Sequence, residues 1–258
     1  MIPVFIFLIG LSIGSFFNVL IFRLPRKEGF IKGRSRCPSC RHVLSWKDLF
    51  PLASFLFLKR KCRFCSKKIS WRYFLIELTT ALVFLVFFMV SRPDSWLLLW
   101  IFSLWLAISC LLIVLVFIDF DYLIIPDKIL VVIALLALSL HLTNSFDFPL
   151  ANLVTAAVSG MIFFLIFLLT RGEKMGLGDV KLMALLGFIF GFPEIIPIFY
   201  LAVAGALVWS VILILFFGGK LQTKIPFGSL LAGSAIIFIL FNKFLMPYLT
   251  PYLFRLYL

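Results

Sequence analysis

The chain has 258 residues, a net charge of +13, only 14% charged residues, 33 phenylalanines and a mean hydropathy of +1.18. A soluble domain of this length needs far more polar surface, so that class is excluded. What remains is a protein whose solvent is largely hydrocarbon.

Apolar runs lie at 2–22, 73–91, 95–118, 128–142, 150–170, 180–192, 194–217 and 229–249. A run of about 20 apolar residues crosses a hydrocarbon core roughly 30 Å thick. The pattern predicts an all-α polytopic membrane protein with about eight transmembrane helices. The sixth run is short and only "GFPE" at 191–194 divides it from the seventh, so seven is the other count. The first run has no basic stretch before it and no small-residue cleavage pattern after it, and is read as a helix, not a removable signal. Three segments follow: a first transmembrane helix at 1–22, a loop domain at 23–72 and a helical bundle at 73–258.

Charge sets the orientation. From Arg23 to Arg72 there are 15 Lys and Arg against only Glu28 and Asp48, and the remainder of the chain sums to zero. By the positive-inside rule this loop is cytoplasmic. Threading the other helices from it puts Lys128, Arg171, Lys174, Lys181, Lys220 and Lys224 on the same side, with Arg92, Lys243 and Arg255 outside or near the outer end. The basic loop reads as a topology determinant attracted to anionic lipid. It lacks the aromatic interleaving of a nucleic-acid module, so no nucleic-acid partner is expected.

Within this loop "CPSC" (Cys37 to Cys40) is answered, after 21 residues, by "CRFC" (Cys62 to Cys65). A cytoplasmic compartment keeps thiols reduced, which argues against disulfides. Two C-x2-C knuckles at this spacing match a structural tetrahedral zinc site held by Cys37, Cys40, Cys62 and Cys65. A metal would supply folding energy that so polar a loop lacks. His42 is a conceivable substitute ligand but reads as a surface residue, and Cys110 as a small apolar packing residue.

Chemistry is sought among acids at membrane depth, which cost about 2.5–3.5 kcal/mol each and default to a functional reading. "FIDFDYLIIPD" carries Asp119, Asp121 and Asp127, and "MGLGDVK" carries Asp179. The predicted topology puts both stretches at one level on the same side. Two adjacent carboxylates can share a proton, one acting as base on a water and the other polarising a carbonyl. Asp119 directly follows the apolar run and is the deeper candidate. Asp121 points elsewhere on the helix, and Asp127 follows the helix-breaking Pro126, so both read as solvated loop or cap residues. Gly176 and Gly178 remove side chains beside Asp179, where an extended substrate could approach.

"GLSIGSFFNVLIFRLP" at 10–25, the two knuckles, "SWKDLFPLASFLFL", "ISWRYFLIEL", "IDFDYLIIPD", "GLGDVKLMALLG" and "IPFG" at 225–228 occur in the order found in type IV prepilin peptidases. The resemblance runs through nearly the whole chain. It implies a G-x-G-D intramembrane aspartic peptidase of the bacterial inner membrane, cutting the basic leader of type IV prepilins or type II secretion pseudopilins after a Gly on the cytoplasmic face. By motif, the family's catalytic aspartates fall on Asp119 and Asp179, and its zinc-binding cysteines on Cys37, Cys40, Cys62 and Cys65. The resemblance also implies N-methylation of the new N-terminus from S-adenosylmethionine, an activity associated with the N-terminal loop. No G-x-G-x-x-G fingerprint places that cofactor. Members often carry Gly where this chain has Arg60, and Pro where it has Phe74 and Ser229. The competing readings are a proton-coupled transporter, which should show midplane acids and internal repeats, and a zinc-stabilised assembly scaffold, which leaves the aspartates without a role.

Overall fold

The structure is a computed structural model. It describes all residues except 30–34, 38, 46, 47, 49, 92, 94, 146–149, 174, 218–225 and 255–258, with the backbone alone described at 144, 145, 217 and 243–254. Arg92, Lys174, Lys220, Lys224 and Arg255, and the start of the "IPFG" stretch, therefore lie outside the described residues, as does the side chain of Lys243.

The helices are α1 (Ile2–Arg23), α2 (Ala53–Phe57), α3 (Trp71–Ser91), α4 (Trp96–Tyr122), α5 (Asp127–Ser145), α6 (Leu150–Leu169), α7 (Leu177–Phe190), α8 (Ile195–Phe217) and α9 (Phe227–Phe254). All but the five-residue α2 occupy the eight apolar runs. By length and composition α1, α3, α4, α6 and α8 are long and apolar enough to cross a bilayer, and Phe227–Asn242 is a shorter apolar stretch. Val158, Met161 and Leu165 on α6, and Leu207, Val208 and Leu215 on α8, are exposed. Such continuous apolar faces belong against lipid. The protein is a multi-pass helical membrane protein.

The chain forms two compact units, Met1–Asp94 and Ser95–Leu258. Within the first unit α3 packs along α1. Glycines explain why. A Cβ on Gly10 would stand 2.7 Å from Ala81 Cα, and one on Gly14 would stand 2.8 Å from Glu77 Cα. Two glycines four residues apart share a helix face and let two backbones meet, the small-xxx-small packing of membrane helices.

The loop between α1 and α3 is tied to this pair. Pro51 O accepts from Ala53 N–H at 2.6 Å, a three-residue turn that forces Leu52 to φ 55° and ψ −46°. Such backbone costs about 1–3 kcal/mol and persists only where its surroundings enforce it. Here the buried Glu77 of α3 accepts the Leu52 N–H at 2.8 Å. Phe55 of α2 packs its ring 5.3 Å from Trp71 and 5.4 Å from Phe74, giving the loop an aromatic foothold. Arg60 has φ 61°, a left-handed conformation that glycine adopts without strain, and its guanidinium lies 4.5 Å over Trp71.

In the second unit α4 packs against α5 and α9, α7 against α5, α6, α8 and α9, and α8 against α9. A Cβ on Gly187 would meet Ala156 Cα at 3.0 Å, and one on Gly160 would meet Ala184 Cβ at 2.9 Å, so small residues again bring α6 and α7 together. α7 stops at Phe190 because Gly191 takes φ 72°, and α8 restarts at Ile195, so the sixth and seventh runs are separate helices.

Gly14→Leu is expected to separate α1 from α3, because the nearest atom is backbone and cannot yield. Overpacking of this kind costs about 1–3 kcal/mol or more. Thermal unfolding of the purified protein in detergent should show a clearly lowered midpoint, with Gly29→Leu, in open space, as the unchanged control.

Candidate active site and metal centre

Local sequence holds each acid at a helix end. Asp119 lies in the last turn of α4, which closes when Leu123 turns left-handed (φ 54°, ψ 38°) and returns its N–H to Asp119 O at 2.8 Å. Ile124, Ile125 and Pro126 lead into α5, where Pro126 O accepts the Ile129 N–H at 3.0 Å. Asp179 is the third residue of α7, and its Oδ2 accepts the N–H of the N-cap Gly176 at 3.2 Å, one half of a capping box.

Tertiary packing then joins the two. A Cβ on Gly228, in the first turn of α9, would stand 3.0 Å from Asp119 Oδ2 and 3.0 Å from Asp179 Oδ1. The two carboxylate oxygens are therefore no further apart than twice that distance, and with Ile125 Cδ1 only 2.6 Å from the same point a side chain at 228 would press on all three. Asp119 is only 5% exposed. Asp121 is exposed, and Asp127 is an exposed residue that pairs with Lys181 at 2.7 Å.

The two glycines before Asp179 differ. A Cβ on Gly176 would meet nothing closer than 3.7 Å, whereas one on Gly178 would meet Ile125 Cβ at 3.0 Å. Gly178 is required by the chain's own packing, and only Gly176 opens to the surroundings.

Two residues of the site were not singled out by sequence reasoning. Gly228 stands in the sequence only as the last residue of "IPFG", with no role attached; in the structure it borders both acids. Ser229 was noted as a departure from the family, yet its N–H donates to Asp119 Oδ2 at 2.6 Å and its Oγ lies 3.0 Å from the same oxygen. The only available signal was the spacing of this motif at the start of an apolar run, which fixes neither partner.

The metal centre is built from two knuckles with one hydrogen-bond pattern. Cys37 N–H bonds His42 O at 3.0 Å and Arg41 N–H bonds Cys37 O at 2.9 Å; in the second, Cys62 N–H bonds Lys67 O and Ser66 N–H bonds Cys62 O, both at 2.9 Å. Arg41 (φ 58°) and Ser66 (φ 55°) turn each chain back after its second cysteine. The four Sγ atoms of Cys37, Cys40, Cys62 and Cys65 lie within 4.8 Å of one another, with Cys37 and Cys65 3.9 Å apart. A tetrahedron with metal–sulfur bonds of about 2.3 Å has edges of about 3.8 Å, so the donor set fits a metal ion. Burial raises the Cys37 thiol, but the N–H groups of Cys40 and Ser39 outweigh it and bring it to about 7. A cation bound here would displace thiol protons from its ligands. His42 instead stacks 3.6 Å from the Phe64 ring of the other knuckle. Asp48 adds a second tie: Ser45 donates to its Oδ2 from Oγ at 2.6 Å, holding its carboxyl below the usual range, and Arg63 Nε lies 3.1 Å from its Oδ1.

Residues 8–91 match the bacterial peptidase A24 N-terminal domain, and residues 106–211 match the type IV leader peptidase family. The cysteines fall in the first stretch and both acids in the second. A protein of Aeromonas salmonicida (strain A449) is 32% identical over 267 residues, covering 92% of this chain and 90% of its own. One of Bacillus subtilis (strain 168) is 31% identical over 248 residues, covering 94% and 96%. One of Myxococcus xanthus (strain DK1622) is 38% identical over 188 residues, covering 71% of this chain and 55% of its own. All three are named prepilin leader peptidase/N-methyltransferase. No solved structure matches the chain.

Cys37→Ser and Cys62→Ser, which alter the two buried ligands, are expected to lower bound metal below half of wild type, read by elemental analysis of purified protein. They should also raise cleavage of the loop by added trypsin. Full metal content in both variants would refute the four-thiol site.

Proposed function

The chain belongs to the type IV leader peptidase family, and on that premise we propose that it is a prepilin leader peptidase working through Asp119 and Asp179. The observation that carries this reading is the convergence of two carboxylates, held on different helices, on the side-chain-free position of Gly228. Two carboxylates so close hold one proton between them. The ionised one takes a proton from water as its oxygen attacks the scissile carbonyl, while the protonated one donates to the carbonyl oxygen. Collapse of the tetrahedral intermediate breaks the C–N bond, and the amine leaves with the proton taken up by the base.

The substrates are type IV prepilins or type II secretion pseudopilins, cut after a glycine at the cytoplasmic face. The orientation rests on the excess of Lys and Arg between Arg23 and Arg72, and the location is the inner membrane. Gly176, open at the N-cap of α7, gives an extended peptide backbone room to approach. The four thiols hold structural zinc. The same protein methylates the newly exposed amine from S-adenosylmethionine, which supplies an electrophilic methyl. In the N-terminal unit Asn18 Oδ1 and Arg60 Nε are buried with no hydrogen-bond partner among the described residues, an acceptor and a donor of the kind that such a zwitterionic cofactor would satisfy.

Purified protein incubated with a synthetic prepilin should yield a product lacking the leader mass, and heavier by one methyl when S-adenosylmethionine is added. Asp119→Asn and Asp179→Asn should each lower cleavage by about 1000-fold or more, with unchanged helical content, and Asp121→Asn should be mild. Wild-type cleavage by Asp119→Asn would remove the two-aspartate reading.

Gly228→Ala tests the geometry separately. Its methyl would stand 2.6 Å from Ile125 Cδ1, which must shift, and 3.0 Å from both acids. It should cost at least about 100-fold in kcat/KM with both aspartates intact, and a thermal unfolding midpoint measured alongside separates lost geometry from lost fold.

A further inference from the structure

We infer that Ser229 divides the labour of the two acids, holding Asp119 as the ionised base and leaving the shared proton on Asp179. This rests on the two-aspartate reading and adds to it a positioning residue and an assignment of roles.

Asp119 Oδ2 faces two donors from one residue, the Ser229 N–H at 2.6 Å and the Ser229 hydroxyl at 3.0 Å. The N–H contact is as short as charge-assisted bonds become. Asp179 Oδ2 receives the Gly176 N–H at 3.2 Å, the long limit of the range, and the Gly228 N–H also faces this carboxylate. No side-chain donor to Asp179 is found among the described residues. The helix ends act in the opposite sense: Asp119 sits at the carbonyl end of α4, and Asp179 in the first turn of α7. A helix terminus contributes less than a hydrogen bond to a charged group, so the donors decide.

The hydroxyl has one proton and two acceptors. Ser229 Oγ lies 2.8 Å from Val116 O as well as 3.0 Å from Asp119 Oδ2. When Asp119 is ionised the proton turns to the carboxylate. When Asp119 has taken a proton from water, its own O–H can donate to Oγ while the hydroxyl turns to Val116 O. Ser229 thus serves both states of the base without leaving its place.

Few other charges act here. On α7 they are Asp179 and Lys181, and on α5 Asp127 and Lys128, with Lys181 engaged by Asp127 at 2.7 Å. α4 itself adds Asp121 and Tyr122, and the described side chains of α9 include no titratable group. Proline at this position would lack both donors yet is tolerated in a first helical turn, so Ser229→Pro removes both at once.

The test is kcat/KM against pH for wild type, Ser229→Ala, Ser229→Thr and Ser229→Pro on one synthetic prepilin. The acidic limb, which marks loss of the ionised base, should move to higher pH by about one unit in Ser229→Ala. It should move further in Ser229→Pro and stay near wild type in Ser229→Thr. An acidic limb unmoved in both Ser229→Ala and Ser229→Pro, with Asp119→Asn and Asp179→Asn inactive, would overturn this assignment alone. Wild-type rates in either Asn variant would overturn the two-aspartate reading beneath it.

Discussion

A carboxylate in an apolar bundle must find donors or a partner to replace the solvation that burial removes. Most of the second unit's design meets that demand for Asp119 and Asp179. Each sits at a helix end, where free backbone groups are available, and a third helix, α9, brings its own free N–H groups to them. Close approach is possible because position 228 carries no side chain, and because Gly178 lets α7 press against Ile125 in the α4–α5 connection.

Small residues do comparable work throughout. Between membrane helices apolar burial gives no preference over lipid, so association depends on close packing and hydrogen bonds. Gly10 and Gly14 hold α1 on α3, and Gly160 and Gly187 hold α6 on α7. The second pair is close to the site in sequence, since α7 begins two residues before Asp179 and is only 14 residues long. A short helix fixed by backbone-level contacts is a rigid mount for an acid, which suits chemistry sensitive to sub-ångström placement.

The cysteine-bearing loop follows other rules. It cannot rely on lipid and has little apolar material beyond Phe55, Trp71 and Phe74. Its order comes from two hydrogen-bonded knuckles around four thiols, the Asp48–Arg63 tie and the Glu77 carboxylate on the Leu52 N–H. The positive φ of Leu52 and Arg60 shows that this assembly holds backbone that L-residues ordinarily avoid.

Much of this was legible in the chain itself. Apolar runs report helices directly, since backbone groups in hydrocarbon have no other way to be satisfied, and all eight fell where expected. The cysteine spacing reports a ligand set because two-residue intervals suffice to fold a knuckle. The depth of Asp119 against Asp121 followed from helix periodicity. Sequence could not show that α3 pairs with α1, that Gly178 serves Ile125, or that Gly228 and Ser229 stand over the acids. Those facts depend on contacts between residues as far apart as 119 and 229, for which local propensity carries no information. One-dimensional pattern determined which segments are helices and which residues bear charge; only packing of helices from distant parts of the chain decided which charges meet.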